Sequence, residues 1–371
     1  MTAGLGPIGI LFGTRPEAIK LAPVIIELRR RRVATRVITT GQHRDLVAPV
    51  LEVFGLEADH DLDLMRPGAS LDYILSTALV GIGEVLAADK PAALIVQGDT
   101  TSTLAATLAA FHAGVPVAHV EAGLRSRDMA LPFPEEMNRR VVSVIASWHF
   151  APTQSSADNL KLEGHGGHVV VTGNTVVDAL QFIEREVPAP PLPFDVQPPY
   201  ILATAHRRES WGEPIGRIAA ALRDVLEARP ELSLVFITHP NPEAKRPAEA
   251  ALDGLAQAVV GDAVDYVTFL HLLRGAELAV SDSGGIQEEG PTLGIPVLVT
   301  RSVTERPEGV EAGAVRLIGT ERASIVNACL QLHDSAADRQ SMANAGRAVY
   351  GDGQASIRIA NTLEAALAAS A

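Results

Sequence analysis

Cysteine is nearly absent from this chain. Cys329 stands alone among 371 residues, which excludes an internal disulfide framework and fits a reducing compartment. Positive charge is also in deficit: 31 Lys and Arg against 44 Asp and Glu leave a net charge of −13. That balance argues against nucleic acid or an anionic membrane as partner, and an anionic ligand would need a locally basic site. The N-terminus lacks a basic segment, and its apolar run Ile8–Phe12 is too short for a signal peptide. No stretch approaches the length of a membrane span, so a soluble cytoplasmic protein is expected. Several motifs are missing as well. There is no Walker A loop, zincin helix, CxxC pair or GxSxG elbow. Gly4-Leu5-Gly6-Pro7-Ile8-Gly9 matches GxGxxG in letters only. It precedes the first strand and contains Pro7, whereas a dinucleotide fingerprint needs strand, glycines and helix in that order. No nicotinamide, other cofactor or metal is expected.

What is present is an ordinary globular balance, 47% hydrophobic and 20% charged, at a length that suggests two domains. Short β-branched runs alternate with helical patterns. Ile8–Phe12, Arg36–Thr40, Ala93–Gln97, Val117–Val120, His149–Ala151 and Val169–Thr172 read as strands. Glu17–Arg30, Leu71–Ala88, Ser102–Ala113 and Glu136–Ala146 read as helices between them. Such alternation predicts right-handed βαβ units around a parallel sheet buried on both faces. Six prolines between Val187 and Pro199 then interrupt the rhythm. It restarts with strands expected at Tyr200–Thr204, Leu234–Thr238, Val264–Thr268, Leu278–Ser281 and Val297–Thr300, and the chain closes on an Ala-rich helix. The fold class expected is α/β, with two doubly wound domains. Residues 1–186 form the first, 187–199 a linker, 200–352 the second, and 353–371 a helix returning to the first. Ligand would lie between the domains, at strand C-terminal ends.

Chemistry gathers at those ends. Ser281-Asp282-Ser283-Gly284-Gly285-Ile286-Gln287-Glu288-Glu289 runs from strand through two glycines into a helix, which points backbone N–H groups and the positive dipole end into one small space. Ser283 adds a hydroxyl donor, and Glu289, one turn on, suits sugar hydroxyls. Thr14-Arg15-Pro16-Glu17 projects Arg15 from the first strand end, with Lys20 one turn into the helix. Asp99 in Gln97-Gly98-Asp99-Thr100 reads either as a helix N-cap or as a catalytic group. Glu121 ends a buried strand and needs a partner or a task. Glu135 opens a helix, where it also complements the dipole. His206-Arg207-Arg208 reads as an anion clamp with an acid/base candidate. Carboxylates do not bind phosphate, so they would face another part of the ligand, the carbons and hydroxyls of a sugar. A nucleotide sugar is the ligand class this combination predicts.

Taken together these motifs closely resemble the non-hydrolysing UDP-N-acetylglucosamine 2-epimerases over nearly the whole chain. The resemblance runs from Phe12-Gly13-Thr14-Arg15-Pro16-Glu17 through Thr40-Gly41-Gln42-His43-Arg44, Val120-Glu121-Ala122-Gly123-Leu124-Arg125 and Pro134-Glu135-Glu136-Met137-Asn138-Arg139. It continues through Gly173-Asn174, His206-Arg207-Arg208-Glu209, Thr238-His239-Pro240-Asn241-Pro242 and Thr304-Glu305-Arg306-Pro307-Glu308 to Glu311-Ala312-Gly313. The resemblance implies the two-Rossmann glycosyltransferase-B architecture and interconversion of UDP-GlcNAc and UDP-ManNAc. The C2 hydrogen is not beside a carbonyl, so elimination of UDP to a 2-acetamidoglucal, then re-addition, is the route expected. By resemblance Asp99, Glu121 and Glu135 are the acid/base candidates, with the ring face of each left open, and His206 stabilises the departing diphosphate. Arg15, Lys20, Ser283, Gly284, Gly285 and Arg306 would hold the diphosphate, Glu289 the ribose, and Phe269 would pack near uracil. Some members bind a second, activating UDP-GlcNAc; the matching residues are Gln42, His43, Arg66, Arg208 and His239, although Ala69 stands where Gln is common. The resemblance also implies a homodimer and a role in bacterial surface polysaccharide. Alternatives are a C2 epimerase acting on a modified UDP-sugar of the 2,3-diacetamido uronic acid type, a hydrolysing epimerase, and a glycosyltransferase of the same fold.

Overall fold

The structure, a computed structural model, describes residues 6–42, 44–64, 66, 68–205, 212–239 and 241–369. It divides into two compact units, one of residues 1–186 with 351–371 and one of residues 187–350. The first contains β1 (Ile8–Phe12), β2 (Thr35–Thr39), β3 (His60–Asp61), β4 (Ala93–Gln97), β5 (Val117–Val120), β6 (Trp148–Ala151) and β7 (His168–Val171). They form one parallel sheet in the order β3-β2-β1-β4-β5-β6-β7. The second contains β8 (Tyr200–Ala205), β9 (Ser233–Thr238), β10 (Ala258–Asp262), β11 (Leu278–Ser281), β12 (Val297–Val299) and β13 (Val315–Leu317). Its parallel order is β10-β9-β8-β11-β12-β13. Each sheet therefore starts in its middle and winds outward both ways, the doubly wound Rossmann-like plan. The direction of winding switches between β1 and β4 in one unit and between β8 and β11 in the other. Every residue of β1, β4, β8 and β11 is buried, as central parallel strands covered by helices on both faces must be.

Three sequence expectations need correction. Val264–Thr268 is not a strand: Asp265 accepts the Thr268 N–H at 3.0 Å and caps the helix Tyr266–Gly275, while the strand lies earlier at Ala258–Asp262. The run is β-branched in composition, but Asp265, its second residue, decides the outcome by capping a helix. The Pro-rich stretch is more than a connection, because Phe194 and Val196 pack on the apolar face of the second sheet. A Cβ at Gly261 would run into the Phe194 ring. Finally, helix Leu71–Ala88, at 18 residues and mean hydropathy 1.5, is long and apolar enough by composition to cross a membrane. Ala78, Ile82 and Leu86 on that helix are buried in the core with Leu94, Val96 and Leu104.

The C-terminal helix Ala355–Ala369 belongs to the first unit. Buried Asp178 accepts the Ser356 N–H at 2.9 Å, its hydroxyl at 2.6 Å and the Ala355 N–H at 3.2 Å, so a side chain from a distant helix caps this one. Replacing Asp178 with Ala should cost about 1–3 kcal/mol and lower the thermal midpoint by several degrees, measurable by calorimetry.

In the second unit, His333 bridges Glu277 at 2.7 Å and Glu231 at 3.1 Å. Burial alone would lower its pKa, but the two carboxylates outweigh burial and raise it above the ordinary imidazole value. A raised folded-state pKa means the charged bridge stabilises fully below the unfolded value of about 6.5 and fades as pH climbs through the folded value. His333→Gln should therefore flatten the decline in urea midpoint from about pH 6.5 upward; an unchanged alkaline limb would exclude this bridge as its cause.

Candidate active site

In the first unit, the loops after β1, β4 and β5 meet at the sheet's switch point. Glu17, on the helix Arg15–Arg30, accepts the N–H groups of Gly13 at 2.9 Å and Thr14 at 2.7 Å, closing the turn from which Arg15 emerges. Its second oxygen accepts the Thr100 hydroxyl at 2.6 Å, which ties the β1 loop to the β4 loop. Lys20, one turn further on, is buried and places its ammonium 2.5 Å from Glu121. Gln97, the last residue of β4, donates its amide to the same carboxylate oxygen. Glu121 itself sits at φ 63°, a left-handed conformation that costs a residue with a side chain about 1–3 kcal/mol. The next turn demands glycine, since a Cβ at Gly123 (φ 92°) would run into the Ser156 carbonyl. Glu121 thus ends its strand bent toward two donors.

Asp99 is not a helix cap. Thr100 caps the helix Thr101–His112 by accepting the Thr103 N–H at 3.1 Å, which leaves the Asp99 carboxylate to meet Arg139 at 2.7 Å. Asn138 holds the Asp99 carbonyl at 2.8 Å. Arg139 is itself held by fully buried Glu136 at 3.0 Å. Burial pushes the Glu136 pKa up, but the Ser126 N–H, at 3.0 Å, and Arg139 prevail and keep it below the usual carboxylate range. Of the adjacent glutamates, then, Glu136 is a structural anion, while Glu135 is the first residue of the helix Glu135–Ile145.

In the second unit, β11 runs into the turn Asp282–Gly285 and the helix Ile286–Leu293. Ser281 accepts the Ser283 N–H at 2.9 Å and shares a hydrogen bond of 2.6 Å with Thr204 at the end of β8. Space at Gly284 is tight: a Cβ there would stand 3.0 Å from the Arg306 guanidinium, which lies across the turn. Arg306 is locked by Glu288 at 2.5 Å and Glu305 at 2.7 Å. Glu289 is buried and accepts the Tyr266 hydroxyl at 2.9 Å. Phe269, on the same helix as Tyr266, packs partly buried against the core. Burial also raises the pKa of Glu308, on the short helix after Arg306.

The structure thus gathers Lys20, Glu121, Asp99 and Arg15's loop in one unit, and Ser283, Gly284, Gly285, Glu289 and Arg306 in the other. His206, His43 and Arg208 lie outside the described residues. The remaining activator candidates have separate surroundings. Gln42 accepts the Ser102 hydroxyl at 2.8 Å, Arg66 stacks 5.0 Å over the Tyr73 ring, and exposed His239 accepts the Asn241 N–H at 3.1 Å. Sequence reasoning assigned nothing to Gln97, Arg139 or Tyr266. The Glu136–Arg139 spacing of three was a usable sign of a helical ion pair. Nothing in sequence connects Tyr266 with Glu289.

A family profile described as UDP-N-acetylglucosamine 2-epimerase matches residues 26–364. The UDP-N-acetylglucosamine 2-epimerase of Escherichia coli strain K12 is 42% identical over 366 residues, covering 95% of this chain and 97% of its own. That of Neisseria meningitidis serogroup A is 42% identical over 364 residues, covering 95% and 98%. Among solved structures, the N. meningitidis UDP-GlcNAc 2-epimerase bound to UDP-GlcNAc superposes with a TM-score of 0.90 at 42% identity, over 97% of this chain and 100% of that one. The Methanocaldococcus jannaschii epimerase in complex with UDP-GlcNAc and UDP gives 0.82 at 31% identity, over 97% and 99%. A glycosyltransferase of kitacinnamycin, 15% identical with a TM-score of 0.65, shares the fold. The chain belongs to the UDP-N-acetylglucosamine 2-epimerase family, a family of isomerases.

Proposed function

We propose that this protein interconverts UDP-GlcNAc and UDP-ManNAc by eliminating UDP across C1–C2 and adding it back. The observation that carries the reading is the buried Lys20–Glu121 ion pair beside the Asp99–Arg139 pair at one switch point. Two carboxylates with separate cationic partners suit proton removal from one ring face and delivery to the other. Glu135 is the third acid/base candidate. In this reading a base takes the C2 proton while the C1–O electrons leave with UDP, forming a 2-acetamidoglucal. UDP then attacks C1 again as a proton reaches C2 from the opposite side. Arg15, Lys20, Ser283, Gly284, Gly285 and Arg306 hold the diphosphate as its charge grows, with His206 assisting. Charge stabilisation of this kind commonly supplies a few kcal/mol per fixed donor. Glu289, oriented by Tyr266, takes the ribose hydroxyls, and Phe269 borders uracil. Gln42, His43, Arg66, Arg208 and His239 are proposed for a second, activating UDP-GlcNAc.

A homodimer is part of the proposal. Val80, Phe111 and Val144 are 61%, 64% and 69% exposed on three neighbouring helices of the first unit, an apolar surface suited to a second copy. Light scattering should give twice the chain mass, and the double variant Val80→Asp, Phe111→Asp should give the single mass; a parent that is monomeric at micromolar concentration contradicts this.

Incubated with UDP-GlcNAc in heavy water, without added nicotinamide, the protein should yield UDP-ManNAc deuterated at C2 by proton NMR. Product that keeps its C2 proton, or free sugar alone, would contradict elimination. Glu121→Gln should fold yet lose roughly 10²–10⁴-fold in kcat, whereas activity within a few-fold of parent removes Glu121 from the chemistry. Arg306→Lys keeps the charge but loses the guanidinium fork, and calorimetric affinity for UDP should fall about 10-fold.

A further inference from the structure

His119 lies in the middle of β5, two residues before Glu121, and is 0% exposed. Its Nε2 is 2.7 Å from the Gly98 carbonyl oxygen. A carbonyl only accepts, so Nε2 carries the proton and Nδ1 is a bare lone pair. Nδ1 is buried and meets no hydrogen-bond partner among the described residues. Burial, with Arg125, Arg139 and His149 nearby, lowers the imidazole pKa to about 3, so the ring stays neutral at physiological pH. An apolar residue would fill this strand position without stranding a lone pair, so the ring is kept for the bond that Nε2 makes.

That bond falls on the residue that aims two others. Gly98 stands at φ 71° between Gln97, which holds Glu121, and Asp99, which meets Arg139. Its N–H continues the sheet ladder to the Val120 carbonyl at 3.0 Å. Its carbonyl, on the peptide that leads into Asp99, goes to His119, and the Asp99 carbonyl goes to Asn138 at 2.8 Å. The peptide from which the Asp99 side chain departs is therefore fixed at both ends, by a ring and an amide.

We propose that His119 is a positioning residue: its Nε2–H, bonded to the Gly98 carbonyl, sets the aim of the Asp99 carboxylate. The inference rests on the reading of Asp99 as an acid/base group, and His119 itself does not touch substrate. Displacing a reacting group by about 1 Å typically costs up to about 100-fold in rate, with little effect on binding.

Two variants test it with UDP-GlcNAc as probe. His119→Met removes the donor at similar volume; it should lower kcat roughly 10–100-fold and leave KM within about 3-fold. His119→Gln places an amide N–H near the Nε2 position and should recover most of the loss. In an Asp99→Asn background, His119→Met should cost little further, because the two act through one route. Full kcat in His119→Met, or an undiminished cost in the Asp99→Asn background, overturns the proposal. The parent's ring is read separately by nitrogen-15 NMR. A non-titrating Nε2–H tautomer from pH 5 to 8 supports it, while an Nδ1–H tautomer or titration in that window overturns it. The ring spectrum decides the matter alone if neither variant folds. A parent that does not turn over UDP-GlcNAc defeats the proposed function, and the ring spectrum still tests the placement.

Discussion

The ion pair between Lys20 and Glu121 is the constraint around which the first unit is organised. Both side chains are 8% exposed, and removing two charges from water costs several kcal/mol per ion unless geometry and further hydrogen bonds return it. The structure supplies these: a 2.5 Å contact, the Gln97 amide on the same oxygen, and a helix start closed by Glu17 that fixes where Lys20 begins. Glu121 also accepts a left-handed backbone to reach them. A pair with this desolvation and strain adds little stability that Leu and Val would not add more easily. In the proposed function it serves as a reserve of polarity where the ligand's charge would be handled.

The second unit solves a different problem. The chain as a whole is acidic, so a site for a diphosphate must be locally basic and held so. In the proposed function Arg306 would meet that need, being fastened to Glu288 and Glu305 and laid over the Gly284 turn. Two buried carboxylates would look wrong beside the proposed phosphate site, yet both face the guanidinium. An arginine fixed in advance loses less side-chain entropy on binding than one recruited from solvent. Tyr266 does for Glu289 what the carboxylates do for Arg306.

Much of this was legible from sequence, and the exceptions have physical causes. Alternating apolar runs predict both sheets because central parallel strands are buried on two faces and must be apolar throughout. Val264–Thr268 misleads because β-branched residues also fit the first turn of a capped helix, and only the Asp265 side chain distinguishes the two. The candidate carboxylates were visible as charges at strand ends. Which of Glu135 and Glu136 is structural was not, since that depends on Ser126 and Arg127 folding back to donate N–H groups. The Gly284–Gly285 pair was visible too, but for an incomplete reason. Gly284 also lies close under a guanidinium from about twenty residues downstream, a relation no local pattern carries. His119 was hidden because a histidine within a strand resembles any other core residue until its Gly98 partner is seen.

The central claim is that the bond between the anomeric carbon and the diphosphate oxygen breaks and re-forms in each cycle. UDP-GlcNAc carrying oxygen-18 in that bridge tests it directly, with phosphorus-31 NMR following the label. If UDP departs within the site, the label should spread from the bridge to the non-bridging positions of the β-phosphate while epimer forms. Epimer that accumulates with all the label still in the bridge would contradict the account.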